Sequence, residues 1–337
     1  MKPLTLACVG AGNWGRNLVR VFQEMVNVRV KLICDSEEAI RNSLRQQYPN
    51  SEIVSDCRQV LEDREVEAIV IALPAVQHYS ETKKAIVSGK YVFVEKPMTM
   101  DFREAAELDR LAEKQGKILM VGHLLKYHPA VTFLKSLIQS GEFGEVYYLY
   151  SQRVNLGIIR QDENALWSFA PHDVSVVLHL LEQEPDSVSA RGECYLQPHI
   201  EDVVFVNLHF ADRKMAQLQL SWLDPHKVRK LTVVGSRKMA VFDDVESAEK
   251  IRVYDKSVES RGYVSYGEAI TIRYGDVVIP HIEMVEPLSV ECRHFVECVT
   301  QNKKPDSDSK DGMRVVRVLE AAQRSMSNNG AAVPVVP

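Results

Sequence analysis

The feature that most constrains this chain is a glycine-rich turn close to its N-terminus. An apolar run from Leu4 to Val9 leads into Gly10-Ala11-Gly12-Asn13-Trp14-Gly15, which matches the pattern G-x-G-x-x-G. The first glycine makes a tight turn, the second lets the backbone approach a pyrophosphate, and the third lets a helix pack closely on the strand. The following segment has helical periodicity, so its free N–H groups would face a phosphate. The residues predicted to bind a dinucleotide here are Gly10, Gly12, Asn13, Trp14 and Gly15.

An acidic residue ends the second predicted strand. This strand runs from Val28 to Cys34, and Asp35 follows it, about 20 residues after the last glycine of the turn. A carboxylate at this position accepts hydrogen bonds from ribose hydroxyls and repels a 2′-phosphate, so we expect NAD rather than NADP. Asp35 could also cap the helix predicted from Glu37 to Gln47, and both roles can hold together.

Strands and helices alternate over residues 1–121. The apolar run from Ala68 to Leu73 is typical of a parallel strand that is covered on both faces, and similar short runs lie at 91–94 and 118–121. The alternation predicts an α/β fold with a doubly wound parallel sheet, a Rossmann domain. The carboxyl ends of its strands would border the cofactor, and the residues there are Leu73, Pro74, His78, Glu95 and Lys96.

The hydrophobic pattern changes in residues 122–330. Alternating apolar positions at 204–210 and 216–222 predict a hairpin, and a second hairpin is predicted around 231–242. We therefore expect an α+β domain with an open, mainly antiparallel sheet and two helices at 288–302 and 312–327. A sheet face left uncovered by helices would serve a homodimer or homotetramer. The segment after Asn328 is expected to be loose.

Composition excludes several classes of function. The chain has 337 residues and a formal net charge of -5, which offers no electrostatic basis for binding nucleic acid. Its six cysteines form no C-x-x-C pair, so we expect reduced thiols and no metal site. No apolar run approaches the roughly 18 residues of a membrane span. Together with an N-terminus that lacks a signal-like segment, this predicts a cytoplasmic protein without membrane contact.

Several motifs together resemble the glucose–fructose oxidoreductase / inositol dehydrogenase family (Gfo/Idh/MocA). The resemblance spans the whole chain, and its most specific element is Glu95-Lys96-Pro97. It implies a Rossmann domain, a nicotinamide cofactor, and a second domain that binds a sugar and often mediates oligomerisation. The other motifs that carry it are the glycine turn, Pro74 with His78, Gly89-Lys90, and Gly122 followed by Pro129.

The segment around His172 departs from the usual family pattern. Many members carry one Asp four residues before a catalytic His and another three residues after it, whereas this chain has Ser168 and Ser175 there. Four segments nevertheless resemble the subgroup that oxidises C3 of UDP-N-acetylglucosamine-type sugars. They are Gly122 to Ala130, Asn155 to Gly157, Leu166 to Ser175 and Glu286 to Leu288. The resemblance implies that a 3-aminotransferase uses the product in the synthesis of lipid A or surface polysaccharide.

Oxidation of a secondary alcohol requires a base for the hydroxyl proton and a hydride acceptor, which the cofactor supplies. His172 is the predicted base because imidazole titrates near neutrality. Lys96 is predicted to stabilise the developing alkoxide, and which of the two takes the proton stays open. Asp173 would either orient His172 or cap the following helix. The residues predicted to contact the UDP-sugar are Lys126, Tyr127, Arg153, Asn155, Arg160, Trp167 and Asp173.

The sequence therefore predicts an NAD-dependent UDP-N-acetylglucosamine 3-dehydrogenase. Two alternatives keep the fold and the chemistry: a UDP-N-acetylglucosaminuronate 3-dehydrogenase, or a dehydrogenase of another sugar or an inositol. An alternative of a different class is a non-catalytic regulator that binds NAD. The presence of both Lys96 and His172 argues against the regulator.

Overall fold

The computed structural model describes residues 2–260 and 270–335. The chain divides into two compact units. The first comprises the residues up to 127 together with 285–317, and the second comprises 128–284 and the residues from 318 onward. The sequence analysis instead predicted two domains, at residues 1–121 and 122–330.

The N-terminal part of the first unit is a six-stranded parallel sheet with helices between its strands. The strand order is β3-β2-β1-β4-β5-β6, so the order reverses between β1 and β4, where α/β sheets bind their ligands. The doubly wound sheet predicted from the sequence is confirmed. In chain order the elements are β1 Leu4–Val9, α1 Gly15–Gln23, β2 Val28–Cys34, α2 Glu38–Gln47, β3 Glu52–Val54, α3 Cys57–Glu62, β4 Ala68–Ile71, α4 Ala75–Val87, β5 Tyr91–Glu95, α5 Phe102–Gln115, β6 Leu119–Gly122 and a 3₁₀ turn at Leu124–Tyr127.

The second unit is built on a nine-stranded sheet. Its elements are α6 Pro129–Gln139, β7 Val146–Val154, α7 Ala165–Leu181, β8 Ser187–Glu193, β9 Val203–His209, β10 Met215–Ser221, β11 Val228–Gly235, β12 Met239–Asp243, β13 Ile251–Ser260 and β14 Ile270–Val278. The C-terminal elements of the chain are α8 Pro287–Gln301, α9 Ser309–Ser327 and β15 Val333–Pro334. The strand order is β14-β13-β12-β11-β7-β10-β9-β8-β15. Among the strands of the described residues, only β7 and β10 pair in parallel, which confirms the predicted, mainly antiparallel sheet.

Helix α8 completes the core of the first unit, although the sequence analysis assigned it to the other domain. The Phe295 ring of α8 packs edge-on against two rings of the N-terminal part, with centroids 6.4 Å from Phe22 and 5.7 Å from Phe93. All three rings are fully buried. The amphipathic period of α8 predicted a buried face correctly, but a period carries no information on which core will bury it.

The expectation of a loose C-terminus is wrong for its last described residues. Val333 pairs with Val188 in antiparallel register, so β15 extends the nine-stranded sheet beyond β8. Strands this short fall below the length at which sequence alternation is informative.

Candidate functional site

The three glycines of the turn between β1 and α1 have different steric surroundings. Gly10 has φ +87°, and a Cβ atom there would lie 2.5 Å from the carbonyl oxygen of Ala72. A Cβ atom on Gly15 would lie 2.1 Å from the carbonyl oxygen of Gly10. A Cβ atom on Gly12 would meet no atom within 4 Å. The fold thus requires Gly10 and Gly15, while the space in front of Gly12 fits the pyrophosphate of a dinucleotide.

A cleft of about 920 Å³ lies along this turn and the adjoining strand ends; we call it the glycine-turn cleft. Asp35 lines it, and its carboxylate joins two elements. Oδ2 accepts a hydrogen bond of 2.8 Å from the Ala11 N–H, and Oδ1 accepts one of 2.9 Å from the Glu37 N–H beside α2. The carboxylate is therefore held at the cleft wall, where a ribose hydroxyl would donate to it. Leu73 and Pro74, which follow the carboxyl end of β4, also line this cleft.

His78 is buried and links two strand ends through its ring. Its Nδ1 atom lies 2.7 Å from the Pro97 carbonyl oxygen, and its Nε2 atom lies 2.8 Å from the Leu73 carbonyl oxygen. Burial lowers the pKa of the imidazole. Both ring nitrogens thus face backbone oxygens, and His78 positions the chain around Leu73 and Pro97 rather than offering a polar atom to a ligand.

Glu95 and Trp14 connect the glycine turn to the end of β5. The Trp14 indole Nε1–H donates a 2.6 Å hydrogen bond to Glu95 Oε1, and the Lys96 N–H donates to Oε2 at 3.2 Å. Burial raises the pKa of Glu95 to about 7, although both Trp14 and Lys96 act to lower it. The predicted residues Trp14, Glu95 and Lys96 are therefore brought together at one edge of the sheet. Lys96 is half-buried there, and Asn13 lies in the turn itself.

A second buried acid belongs to the same region and was missed by the sequence analysis. Glu291 in α8 is fully buried, and among the described residues neither carboxylate oxygen has a hydrogen-bond partner. Burial, followed by the charge of Glu95, raises its pKa well above the ordinary value. Two acids in such surroundings do not both ionise near neutrality. Glu291 lies far from Glu95 in the sequence, so no local motif could have indicated that the two acids are close in the fold.

His172 lies inside helix α7, directly after Pro171. Helix α7 begins at Ala165, and Asn164 caps it by accepting a hydrogen bond from the Trp167 N–H. The Ser175 hydroxyl donates a 2.8 Å hydrogen bond to the His172 carbonyl oxygen. This serine occupies one of the two positions at which many members of the resembled family carry Asp. The serine hydroxyl therefore stabilises the helix backbone at the histidine.

Asp173 pairs with Arg153, and the suggestion that it caps a helix is wrong because it lies in mid-helix. Arg153 Nε donates to Asp173 Oδ2 at 2.6 Å, and the Ser151 hydroxyl donates to Oδ1 at 2.6 Å. Both members of the ion pair are buried. Three of the predicted substrate residues, Arg153, Asp173 and Asn155, are thus close to one another at the end of β7.

Arg229 is a candidate that the sequence analysis missed. It donates to the side-chain oxygen of Asn155 and to the Val154 carbonyl, and its guanidinium lies 5.3 Å from the centre of the Phe169 ring. Burial, with a smaller contribution from Arg153, lowers the pKa of Arg229 to about 10. The signal that could have found it is an arginine in the strand that pairs with β7, but that pairing is not visible in the sequence.

The remaining predicted substrate residues have partners inside their own unit. Lys126 is buried and binds Asp311 Oδ1 at 2.8 Å and the Asp306 carbonyl at 2.7 Å. The Tyr127 hydroxyl contacts Ser307 Oγ at 2.8 Å. These bonds commit the polar atoms of Lys126 and Tyr127 to the protein interior.

In the second unit, Trp167 Nε1 donates to Gln323 at 3.2 Å, and Arg160 pairs with Glu163 at 2.9 Å. Trp167 is buried, whereas the Arg160 side chain is 46% exposed. Of these two residues, Arg160 is therefore the one whose polar group a ligand could reach from solvent.

Residues 2–260 and 270–335 contain no group of three or more His, Cys, Asp or Glu side chains arranged to hold a metal ion. Within these same ranges, no helix combines the length and the apolar character that crossing a bilayer requires.

Comparisons with known proteins agree with this architecture. Residues 4–123 match a family model described as "Oxidoreductase family, NAD-binding Rossmann fold", and residues 131–241 match one described as "GFO/IDH/MocA C-terminal domain". A crystal structure from Magnetospirillum magnetotacticum MS-1, described as an oxidoreductase, is 32% identical and has a TM-score of 0.79, covering 95% of this chain and 99% of that one.

Two further similarities involve proteins with named enzymatic activities. The scyllo-inositol 2-dehydrogenase (NAD(+)) of Bacillus subtilis is 25% identical over 81% of this chain and 79% of its own. The UDP-N-acetylglucosamine 3-dehydrogenase of Acidithiobacillus ferrooxidans has a TM-score of 0.81 at 20% identity, over 97% of this chain and 99% of that one. At this identity the second similarity establishes a shared fold.

Proposed function

This chain belongs to the GFO/IDH/MocA family of oxidoreductases and binds NAD through its first unit, and on this basis we propose that it oxidises the C3 hydroxyl of UDP-N-acetylglucosamine to the 3-keto sugar. Relatives in the family include sugar and inositol dehydrogenases. NAD, when bound, accepts a hydride from the substrate carbon. The residues that would hold it are those of the glycine turn, Asp35 and the strand ends at Leu73 and Glu95.

The observation that carries the choice of substrate is an arginine pair in the second unit. Arg153 in β7 and Arg229 in β11 are direct partners in the antiparallel register, so their side chains leave the same face of the sheet. Like charges placed opposite each other destabilise a sheet. Asp173 and Asp244 offset part of this repulsion at Arg229. The arrangement favours an anionic substrate, and a diphosphate matches the planar donors of arginine.

We assign the chemistry to Lys96 and His172. The Lys96 ammonium would stabilise the oxygen of the substrate hydroxyl as negative charge develops on it. The His172 imidazole would take the hydroxyl proton, since its ordinary pKa lies near neutrality. The bond from Ser175 to the His172 carbonyl holds the backbone at this position. Glu95 and Trp14 hold the strand end from which Lys96 projects.

The proposal is tested by measuring NADH formation with four substrates. We expect turnover of UDP-N-acetylglucosamine, weaker turnover of UDP-N-acetylglucosaminuronate, and none of scyllo-inositol or of free N-acetylglucosamine, which lacks the diphosphate. Bound NADH should be removed first, and an aminotransferase or chemical trap should consume the ketone so that product inhibition cannot hide activity. Efficient turnover of the inositol or the free sugar would contradict the proposed substrate. NAD binding without turnover of any of them would favour a non-catalytic regulator.

Variants test the assigned residues separately. Lys96→Met and His172→Asn should each reduce kcat by about 10² or more, in the range for a positioned acid, base or electrostatic group, and Lys114→Met, on an exposed face of α5, provides the matched control. Arg229→Gln should raise KM for the UDP-sugar more than it lowers kcat. Unchanged kcat in the Lys96 variant would remove Lys96 from the chemistry. An unchanged KM in the Arg229 variant would remove the arginine pair from substrate binding.

We also propose that the chain forms a homo-oligomer through its nine-stranded sheet. One face of that sheet exposes large side chains on adjacent strands: 40% of Tyr148, 38% of Tyr150, 45% of Phe205 and 52% of Met215. The two tyrosine rings stack at 6.4 Å. Large apolar side chains exposed on one sheet face are a surface that a second copy would cover.

A further inference from the structure

Two cysteines meet in the wall of the glycine-turn cleft. Cys34 is the last residue of β2, and Cys57 is the first residue of α3. Their Sγ atoms lie 3.5 Å apart, and both residues line the cleft together with Asp35. Cys34 is 2% exposed, whereas Cys57 is only partly buried. The pair therefore joins an accessible thiol to a buried one at a ligand-binding surface.

The backbone around Cys34 holds the groups that would bind the dinucleotide. The Cys34 carbonyl accepts a 2.9 Å hydrogen bond from the Gly10 N–H, which fixes the start of the glycine turn. Asp35 follows directly, and its carboxylate bonds the Ala11 N–H. A displacement at Cys34 would consequently move both the turn and the ribose-binding carboxylate.

We propose that Cys34 and Cys57 are a peroxide-sensitive pair whose reversible disulfide weakens the binding of NAD. A disulfide bond is about 2.05 Å long, so the two sulfurs must approach each other by about 1.5 Å. The helix that carries Cys57 is only six residues long, and it forms one wall of the cleft. Closing the bond draws this wall toward the end of β2.

The reaction starts at Cys57, which is the more accessible of the two thiols. Its contact with the Cys34 thiol lowers the pKa of Cys57, which favours the reactive thiolate. The thiolate attacks one oxygen of hydrogen peroxide, so an S–O bond forms, the O–O bond breaks, and the leaving hydroxide takes up a proton to become water. The product is a sulfenic acid at Cys57.

The second step uses Cys34. Its sulfur, on losing its proton, attacks the sulfenic sulfur, the S–S bond forms, the S–O bond breaks, and the departing hydroxide with the released proton gives a second water. Overall, two thiols are oxidised by two electrons and one peroxide is reduced to two waters. A dithiol reductant reverses the change by thiol–disulfide exchange.

The experiment treats the reduced protein with hydrogen peroxide, with and without saturating NAD, and then maps its peptides under non-reducing conditions by mass spectrometry. We expect a peptide pair linked through Cys34 and Cys57, formed several-fold more slowly when NAD covers the cleft. In titration calorimetry, the oxidised protein should bind NAD about tenfold to a hundredfold more weakly, comparable to losing one hydrogen bond to a charged group. Dithiothreitol should restore the affinity.

Two variants provide the controls. Cys57→Ser should abolish both the linked peptide and the loss of NAD affinity, whereas Cys194→Ser, which removes an exposed cysteine of the second unit, should leave both intact. Sulfinic acid at Cys57 without a linked peptide would overturn the proposal. So would a linked peptide with unchanged NAD affinity, or an equal loss of affinity in the Cys57 variant. No sugar enters these measurements, so their outcome is independent of the substrate assigned above.

Discussion

The buried carboxyl of Glu95 makes the stability of this protein depend on pH in a defined direction. Replacing it by Glu95→Gln keeps the size of the side chain and an oxygen that accepts from Trp14, but removes the ionisation. The amide also places N–H donors near the Lys96 N–H, which lowers the free energy of unfolding by an amount that does not vary with pH. The pH dependence of the difference between variant and wild type therefore isolates the titration of Glu95.

The magnitude follows from the pKa. Burial raises it from the ordinary 4.5 to about 7, and a tenfold change in proton affinity corresponds to about 1.4 kcal/mol, so the effect amounts to about 3 kcal/mol. Because the folded state holds this proton more tightly than the unfolded state, the stabilisation is complete below about pH 4.5 and is lost as the pH rises through about 7. The variant, relative to wild type, should gain this amount over the same interval. Removing the Glu95 charge also relieves Glu291, which adds in the same direction.

The assay is urea unfolding at a series of pH values from about 4.5 to about 8, with the difference in unfolding free energy plotted against pH. Glu113→Gln, on the exposed side of α5, is the matched control and should give a flat difference. A flat difference for Glu95→Gln as well would show that this carboxyl titrates in the folded protein as it does in the unfolded chain. That result would refute the desolvation reasoning.

Further expected outcomes concern the cofactor and the sheet face. Asp35→Ser should reduce the preference for NAD over NADP by about tenfold, the effect of losing one charged hydrogen-bond acceptor and a repulsive charge; an unchanged ratio of dissociation constants contradicts the ribose role. Gly15→Ala should destabilise the fold by about 1–3 kcal/mol or more because of overpacking, whereas Gly12→Ala should keep the melting temperature and weaken NAD binding. Equal melting temperatures for the two variants contradict the geometry of the turn. Tyr148→Lys should lower the particle mass in sedimentation, and a monomeric wild type rules out the proposed oligomer.

The parts of the site that lie close together in the chain were predictable. The glycine turn is a strand, a turn and a helix within a few residues, and the clash that requires Gly15 is with Gly10 of the same turn. The position of Asp35 was predictable for the same reason, because it directly follows the second strand of the same βαβ unit. The two sheet types were predictable from the pattern of apolar residues. Strands of a parallel sheet covered on both faces are apolar throughout, whereas strands with one exposed face alternate apolar and polar residues.

The parts that depend on distant residues were not predictable. Lys126 was predicted to contact the UDP-sugar, but in the folded protein it forms a buried ion pair with Asp311, which is distant in the sequence. Asp173 was given a possible role as a helix cap, but in the structure its carboxylate pairs with Arg153 of β7. Arg229 acquires its place only through strand register. In each case a charge was visible in the sequence while its partner was selected by tertiary structure.

The packing of α8 against the N-terminal sheet has a consequence for the order in which the protein can fold during synthesis. Phe22 and Phe93 are synthesised long before the Phe295 ring that covers them. At typical rates of translation, the segment between Phe93 and Phe295 takes roughly 10 to 40 s to emerge. During that time Phe22 and Phe93 lack the ring that covers them in the folded protein, and transiently exposed apolar surface of this kind favours aggregation. A newly made chain therefore acquires a complete cofactor-binding unit only after α8 has been synthesised.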